Sequence, residues 1–304
     1  MTPRLSFRDL LLVLAVVTVW GFAFVTIRWA LDSAPPFALI ALRFLFAAVP
    51  AVFFVKRPAV PWRTLAAYGL AIGVFQFGFL FLGMRLGMPA GLSSLVIQLQ
   101  VFFTIGLAAW TLHDRVTRHS MIGAGIAVAG MALLGAHKLI EGATATFLGF
   151  VLVIAAALSW GVGNVVAKRA SRQGEVDAVG MVVWSSLVVP LPMALVSFAF
   201  EGGVDAINRV LHMPWQAWAC VLFMSYVATM FGFTSWNALL HRYPTAVVAP
   251  FALLIPVAGI ASGAIFLGEA LAPLQLAGAA LVFAGLAWNL GAAQARQWIA
   301  RTLD

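Results

Sequence analysis

The chain has 304 residues, 63% of them hydrophobic and 9% charged, with a mean hydropathy of +1.02; soluble domains average about 45–50% apolar and about 25% charged residues, so a water-soluble protein is excluded. The formal charge of +8 comes from 18 Lys+Arg against 10 Asp+Glu. These cations sit in short gaps between apolar runs instead of along one face, which excludes a nucleic-acid binder and points to membrane orientation.

A helix needs roughly 20 apolar residues to cross the hydrocarbon core, and the sequence predicts ten spans, at residues 9–30, 36–55, 64–86, 89–111, 119–137, 146–167, 178–200, 215–239, 244–267 and 273–293. The first carries Trp20 and Phe24 on one face and runs into Arg28 and Asp32 without a small-residue cleavage pattern, so it reads as a retained helix rather than a signal peptide. The second holds Arg43, for which two readings stand: attraction of a substrate carboxylate, or, as preferred from sequence, snorkelling to the nearer surface. The third brings Gln76 among Phe77, Phe79 and Phe81. In the fourth, Ser94 and Gln98 share a face at spacing four, whereas Gln100 lies about 200° from Gln98 in an ideal helix. Both glutamines cannot face one cavity unless the helix is unwound or one faces a neighbour; the rival for each is an interhelical hydrogen bond.

The fifth and tenth spans carry Gly123 and Gly130, and Gly278 and Gly285, as small faces for close packing. On the sixth, Trp160 and Asn164 repeat the aromatic pair of the first with an amide in place of one ring. On the eighth, Thr229, Phe233, Trp236 and Asn237 follow helical three-to-four spacing. The ninth contains Pro250 and Pro256, each a simple kink or a break lining a cavity. Pro89 and Pro244 sit at helix starts, and Asp114 and Glu269 ahead of the fifth and tenth spans suit positive helix ends. The longest gap, Glu201 to Pro214, is too short for a separate soluble domain.

One side of the membrane collects Arg4, Arg8, Lys56, Arg57, Arg63, Arg115, Arg118, Lys168, Arg169, Arg172, Arg242, Arg296 and Arg301, 13 in all, against 4 on the other, Arg28, Arg85, Lys138 and Arg209. Both termini are therefore predicted cytoplasmic. The segment from Trp20 to Arg28 recurs from Trp160 to Lys168 at an offset of 140, which also superposes Pro50 on Pro190. A second stretch repeats at 155, placing Leu99 on Leu254, Ile105 on Ile260 and Gly123 on Gly278. Residues 1–140 and 141–304 thus read as two five-helix repeats. Five is odd, so the second repeat enters the membrane inverted, the plan of many secondary transporters, with the substrate site where the repeats meet.

The stretch Gln76-Phe-Gly-Phe-Leu-Phe, followed by Gly87-Met-Pro-Ala-Gly-Leu-Ser-Ser-Leu-Val-Ile-Gln98-Leu-Gln100-Val-Phe-Phe-Thr, resembles the EamA branch of the drug/metabolite transporter superfamily. The resemblance covers essentially the whole chain and is nearest to exporters of cysteine and O-acetylserine and of aromatic and other neutral amino acids. It implies an all-α inner-membrane carrier of ten transmembrane helices around a central cavity lined by spans 1, 3, 4, 6, 8 and 9.

The candidate substrate-binding residues are Trp20, Phe24, Gln76, Phe79, Ser94, Gln98, Gln100, Trp160, Asn164, Thr229, Trp236 and Asn237. Amides offer both donors and an acceptor, which suits a zwitterion's carboxylate and ammonium without net charge. All ten acids and all five histidines fall at span ends or in gaps, so the usual proton relay is missing. No phosphate-binding Gly-x-x-x-x-Gly-Lys-Ser/Thr loop occurs. Facilitated or exchange transport by alternating access is expected. No catalytic constellation, metal set or cofactor motif occurs at membrane depth, so an enzyme is not expected; the single Cys220 cannot form an internal disulfide. The expected partners are a small amino-acid substrate and the bilayer, the chain being read as a monomer. The alternatives are export of other small metabolites or drugs, and a channel-like permease.

Overall fold

The computed structural model describes residues 5–112, 147–171 and 176–243, together with 121–123, 125, 126, 128–130, 132, 133, 248, 251, 252, 254–268, 273, 274, 276–281, 283–285 and 288. Among them every regular element is helical. Seven helices are long and apolar enough to span a bilayer: α1 (Phe7–Leu31), α2 (Pro36–Phe53), α3 (Trp62–Arg85), α4 (Ala90–Leu112), α5 (Phe147–Ser171), α6 (Ala178–Phe200) and α8 (Trp215–Leu239). They coincide within a few residues with the first four and the sixth to eighth predicted spans. A shorter helix, α9 (Leu254–Leu267), lies in the ninth. Shorter apolar helical stretches between Met121 and Gly130 and between Leu276 and Gly285 fall in the fifth and tenth. The predicted positions Pro244, Pro250, Asp114 and Glu269 and both chain ends lie outside the described residues.

Helix starts follow local chemistry. Ser6 caps α1 by accepting the Asp9 N–H at 3.1 Å while its hydroxyl donates to the Asp9 carboxylate at 2.8 Å. Asp177 caps α6 through the N–H groups of Val179 and Gly180. Prolines 36, 89 and 214 stand at or just before the first residues of α2, α4 and α8, where a missing N–H costs nothing. The gap from Glu201 to Pro214 holds a short helix, α7 (Val204–Leu211). Its Val204, Ile207 and Leu211 form an exposed apolar stripe, the pattern of a helix lying in the membrane interface. Beyond it, Phe7, Phe54, Trp110, Phe200 and Trp215 are all exposed, a surface stable only against lipid.

The helices depart from α geometry at matched places. In α3, Leu70–Gln76 winds as a π-helix, and in α8 Phe223–Phe231 does the same; an offset of 155 carries 70–76 onto 225–231. In α4, Ile97–Leu99 tightens to a 3-10 turn, and Ala252, the counterpart of Ile97, lies in a 3-10 turn with Phe251. Close helix contacts repeat likewise. A Cβ on Gly21 of α1 would fall 2.4 Å from Ala258 Cβ and 2.7 Å from Gly259 N of α9, and one on Gly161 of α5 2.9 Å from Phe103 Cβ and 3.1 Å from Thr104 N of α4. Gly21 and Gly161 are 140 apart, Thr104 and Gly259 are 155 apart. Glycines 123, 130, 278 and 285 are all buried, as expected of small packing faces. One core of buried residues runs through both halves, from Val13 to Ala279.

These contacts predict a graded response to added bulk. Gly21→Val and Gly161→Val force backbone apart and should each cost about 1–3 kcal/mol, whereas Gly106→Ala, with no neighbour within 4 Å of the new Cβ, should be near neutral. Thermal unfolding of the purified protein in detergent checks the order; equal melting for Gly21→Val and Gly106→Ala would discount the close α1–α9 contact.

Candidate functional site

Where the two halves meet, the repeat-related Trp20 (α1) and Trp160 (α5) pack edge to face, with ring centroids 5.8 Å apart and planes at 82°. Phe233 and Trp236 of α8 close on Trp20 at 5.0 and 5.4 Å. A buried indole N–H needs an acceptor, and Trp20 Nε1 finds the Ala228 carbonyl at 2.8 Å, inside the π segment of α8. On the other side, Ser159 donates to the Ala71 carbonyl at 2.9 Å, inside the π segment of α3. Phe24 is buried one turn beyond Trp20. Trp20, Phe24, Trp160 and Trp236 thus share one interior region, as the spacing predicts.

Arg43 overturns its preferred reading. It does not snorkel: its residue is only 2% exposed, enclosed between α3 and α8. Its Nε donates to Thr229 Oγ1 at 2.8 Å, and its guanidinium carbon lies 3.9 Å from the Phe77 ring centre and 5.8 Å from that of Phe44. Snorkelling fails because α2 is covered by neighbouring helices at this level, so the flexible stem meets packed rings rather than a route to water. Thr229 stands in the π segment, which aims its hydroxyl at α2. Beside it the described residues enclose a cavity of about 10 Å³, lined by Phe44, Tyr68, Gly69, Ile72, Gly73, Val182, Ser185, Ser186, Thr229 and Phe233. That is the room one water needs. The cavity therefore touches both π segments, and Ser185 and Ser186 of α6 just before its break at residues 187–189; π-bulges recur at functional sites.

The amides divide between two places. Gln100 Oε1 accepts from Asn164 Nδ2 at 2.9 Å and from Thr104 Oγ1 at 3.3 Å, and Asn164 Nδ2 lies 3.1 Å from Thr104 Oγ1. For Gln100 and Asn164 the interhelical bond between α4 and α5 is what the structure shows. Gln98 and Gln100, 1% and 4% exposed, are both buried at the tightened turn Ile97–Leu99, Gln100 by facing its neighbour α5. Gln98 donates weakly to the Ser94 carbonyl at 3.4 Å and leaves its Oε1 unpartnered. Ser94 gives its hydroxyl to Gly91 O at 2.6 Å and packs against Gly259, a helix contact rather than a cavity wall. Gln76 Oε1 and Asn237 Nδ2 are buried without partners, so each retains hydrogen-bonding capacity. Phe79 is half-buried: it packs against the core and stacks on the exposed Phe75 at 6.1 Å. Beside it, Gln76 and Phe77 are buried and Phe75 is exposed.

Among the described residues no group of three or more His, Cys, Asp or Glu side chains could hold a metal ion. Sequence reasoning underrated Arg43 and passed over Tyr68, Ser185 and Ser186. The available signal was that Arg43 is a charge well inside an apolar span; a serine pair before a proline is too common to stand out.

The profile of the EamA-like transporter family matches residues 8–136 and again 147–291. The chain is 44% identical over 287 residues to a "Probable amino-acid metabolite efflux pump" of Salmonella typhimurium, covering 94% of this chain and 96% of that protein. It is 41% identical, with the same coverage, to the protein of the same name in Escherichia coli K12. It is 28% identical over 282 residues, 90% of each chain, to a "Probable terminal-alkyne amino-acid exporter" of Streptantibioticus cattleyicolor. A crystal structure with 21% identity superposes with a TM-score of 0.64 over 93% of this chain and 96% of that one, a likeness of fold. This multi-pass membrane protein, matched twice along its length, belongs to the EamA-like transporter family and is a transporter, not an enzyme.

Proposed function

We propose that the chain exports neutral amino acids and related metabolites across the inner membrane by alternating access, as a facilitator or exchanger, with both termini cytoplasmic. The substrates in view are cysteine, O-acetylserine, threonine, methionine and the aromatic amino acids. The observation that carries this reading is the junction of Trp20, Trp160, Phe233 and Trp236 beside buried, unpartnered amide atoms of Gln76 and Asn237. Such a surface offers apolar contact to a side chain and neutral polar groups to a zwitterion. The names of the two relatives above 40% identity support amino-acid export. The matched π segments and glycine contacts support two repeats, residues 1–140 and 141–304, in inverted orientation.

Two polar clasps, one at the start of α1 and one at the start of α2, are suited to alternate opening. At the first, Asp9 accepts from Tyr243 Oη at 2.7 Å and from Arg242 Nη1 at 3.0 Å, tying α1 to the end of the α8 segment. At the second, the Glu201 carboxylate after α6 accepts the N–H groups of Phe37 and Ala38 at 3.0 and 3.3 Å, capping α2. Both are hydrogen-bonded contacts at the bundle's rims, the kind that rocking of one repeat against the other can break and remake.

Purified protein in liposomes loaded with unlabelled amino acid should show saturable counterflow of labelled cysteine, O-acetylserine, threonine, methionine or phenylalanine; linear, unsaturable flux would favour a channel. The described acids, Asp9, Asp32, Asp177, Glu201 and Asp205, all stand at helix ends. Counterflow should therefore persist when inner and outer pH are equal, and accumulation strictly dependent on an imposed pH gradient would refute uncoupled transport.

A further inference from the structure

Arg43 is the one buried group in the described bundle whose charge is left to be answered by something else. Arginine stays protonated in proteins, so burial cannot be relieved by neutralising it. A charge inside a bundle is stable only when paired or well hydrogen-bonded. Nε is satisfied by Thr229, and the rings of Phe77 and Phe44 offer a quadrupole but no acceptor. Nη1 has no partner, and among the described residues no carboxylate pairs with Arg43. The Thr229 bond and the Phe77 ring hold the guanidinium in a fixed plane, the preorganisation that recognition of a planar anion needs.

We propose that Arg43 is the anchor for the substrate's carboxylate, an assignment that rests on the amino-acid reading above and names the end of the zwitterion that is bound by charge. The carboxylate is the anionic group that all α-amino acids share, so a single arginine can hold chemically different cargo in one orientation. Gln76, immediately before Phe77 on α3, has a buried Oε1 without a donor, the complement an ammonium group supplies. Phe44, Phe77 and Phe233 then receive the variable side chain. The water-sized cavity beside Thr229 is too small for such a ligand as it stands, so binding widens the space between the π segments of α3 and α8. Interconversion between π and α winding is a local adjustment that could supply that room.

The test uses full-length protein in liposomes and matched pairs of ligands: threonine, methionine and phenylalanine against their carboxamides, which keep the side chain and ammonium but lose the anion. Each acid should compete for counterflow about tenfold or more better than its amide. Arg43→Gln should lose about tenfold in apparent affinity for the acids and bring the acid-to-amide ratio close to one, and Arg43→Lys should retain part of the preference. A purely structural role would lower the yield of folded protein without changing that ratio. If Arg43→Gln does not fold, judged by monodisperse elution, the wild-type pairs decide on their own. Equal competition by acids and amides in the wild type, or an unchanged ratio in Arg43→Gln, overturns the anchor while leaving amino-acid export standing. Absence of counterflow with every amino acid defeats both.

Discussion

Hydrocarbon supplies no hydrogen-bond partners, and that single constraint decides where this chain can depart from regular helix. On the outer faces of the described helices Phe, Leu and Trp side chains are exposed to lipid. Both π segments give polar groups to a neighbouring helix: that of α8 offers Ala228 O to Trp20 and Thr229 Oγ1 to Arg43, and that of α3 offers Ala71 O to Ser159. The irregular backbone and the functional side chains are thus one feature. A widened turn can be kept only where another helix consumes what it exposes.

The repeat makes this economical. Gly21 and Gly161 occupy the same position in the two halves, and each admits the backbone of a helix that is itself repeat-related, α9 and α4. With those two contacts closed, the indoles of Trp20 and Trp160 arrive face to edge at the junction. Packing in a bilayer gains little from the hydrophobic effect between helices, so close approach at small residues supplies the cohesion. A site at such a junction is built from two copies of one scaffold but need not be symmetric: Arg43 corresponds to Val183 and Thr229 to Val74, so the polar chemistry lies on one side of the pseudo-axis.

Much of the candidate site was legible because its residues are anomalous in their surroundings. An amide or a charge inside an apolar span is conspicuous, and helical spacing correctly grouped Trp20 with Phe24 and Thr229 with Phe233 and Trp236. Spacing does not foresee where the helix itself becomes irregular. Gln98 and Gln100 are both buried at a 3-10 turn, with Gln100 facing Asn164, and Phe79 follows a π segment; neither turn has a sequence signature strong enough to read. Snorkelling was the wrong choice for Arg43 because it assumes a helix edge facing lipid, and what covers α2 is a tertiary fact. The helix α7 in the gap before α8 was not foreseen because eight residues are too few to register as a span.

By itself the amino-acid sequence determined the membrane-spanning helices, their ends, the twofold internal repeat and the membership of a transporter family, because hydropathy, proline and cap placement, and self-similarity are properties of short stretches read one at a time. Only the tertiary structure decided which polar atoms are spent on one another and which are left over. Gln100 and Asn164 turn out to be partners, while Arg43, Gln76 and Asn237 keep unpaired atoms in the interior. That distinction depends on helices remote in sequence lying side by side, with Thr229 reaching Arg43 across 186 positions of the chain, and no local pattern encodes which neighbour a buried donor will meet.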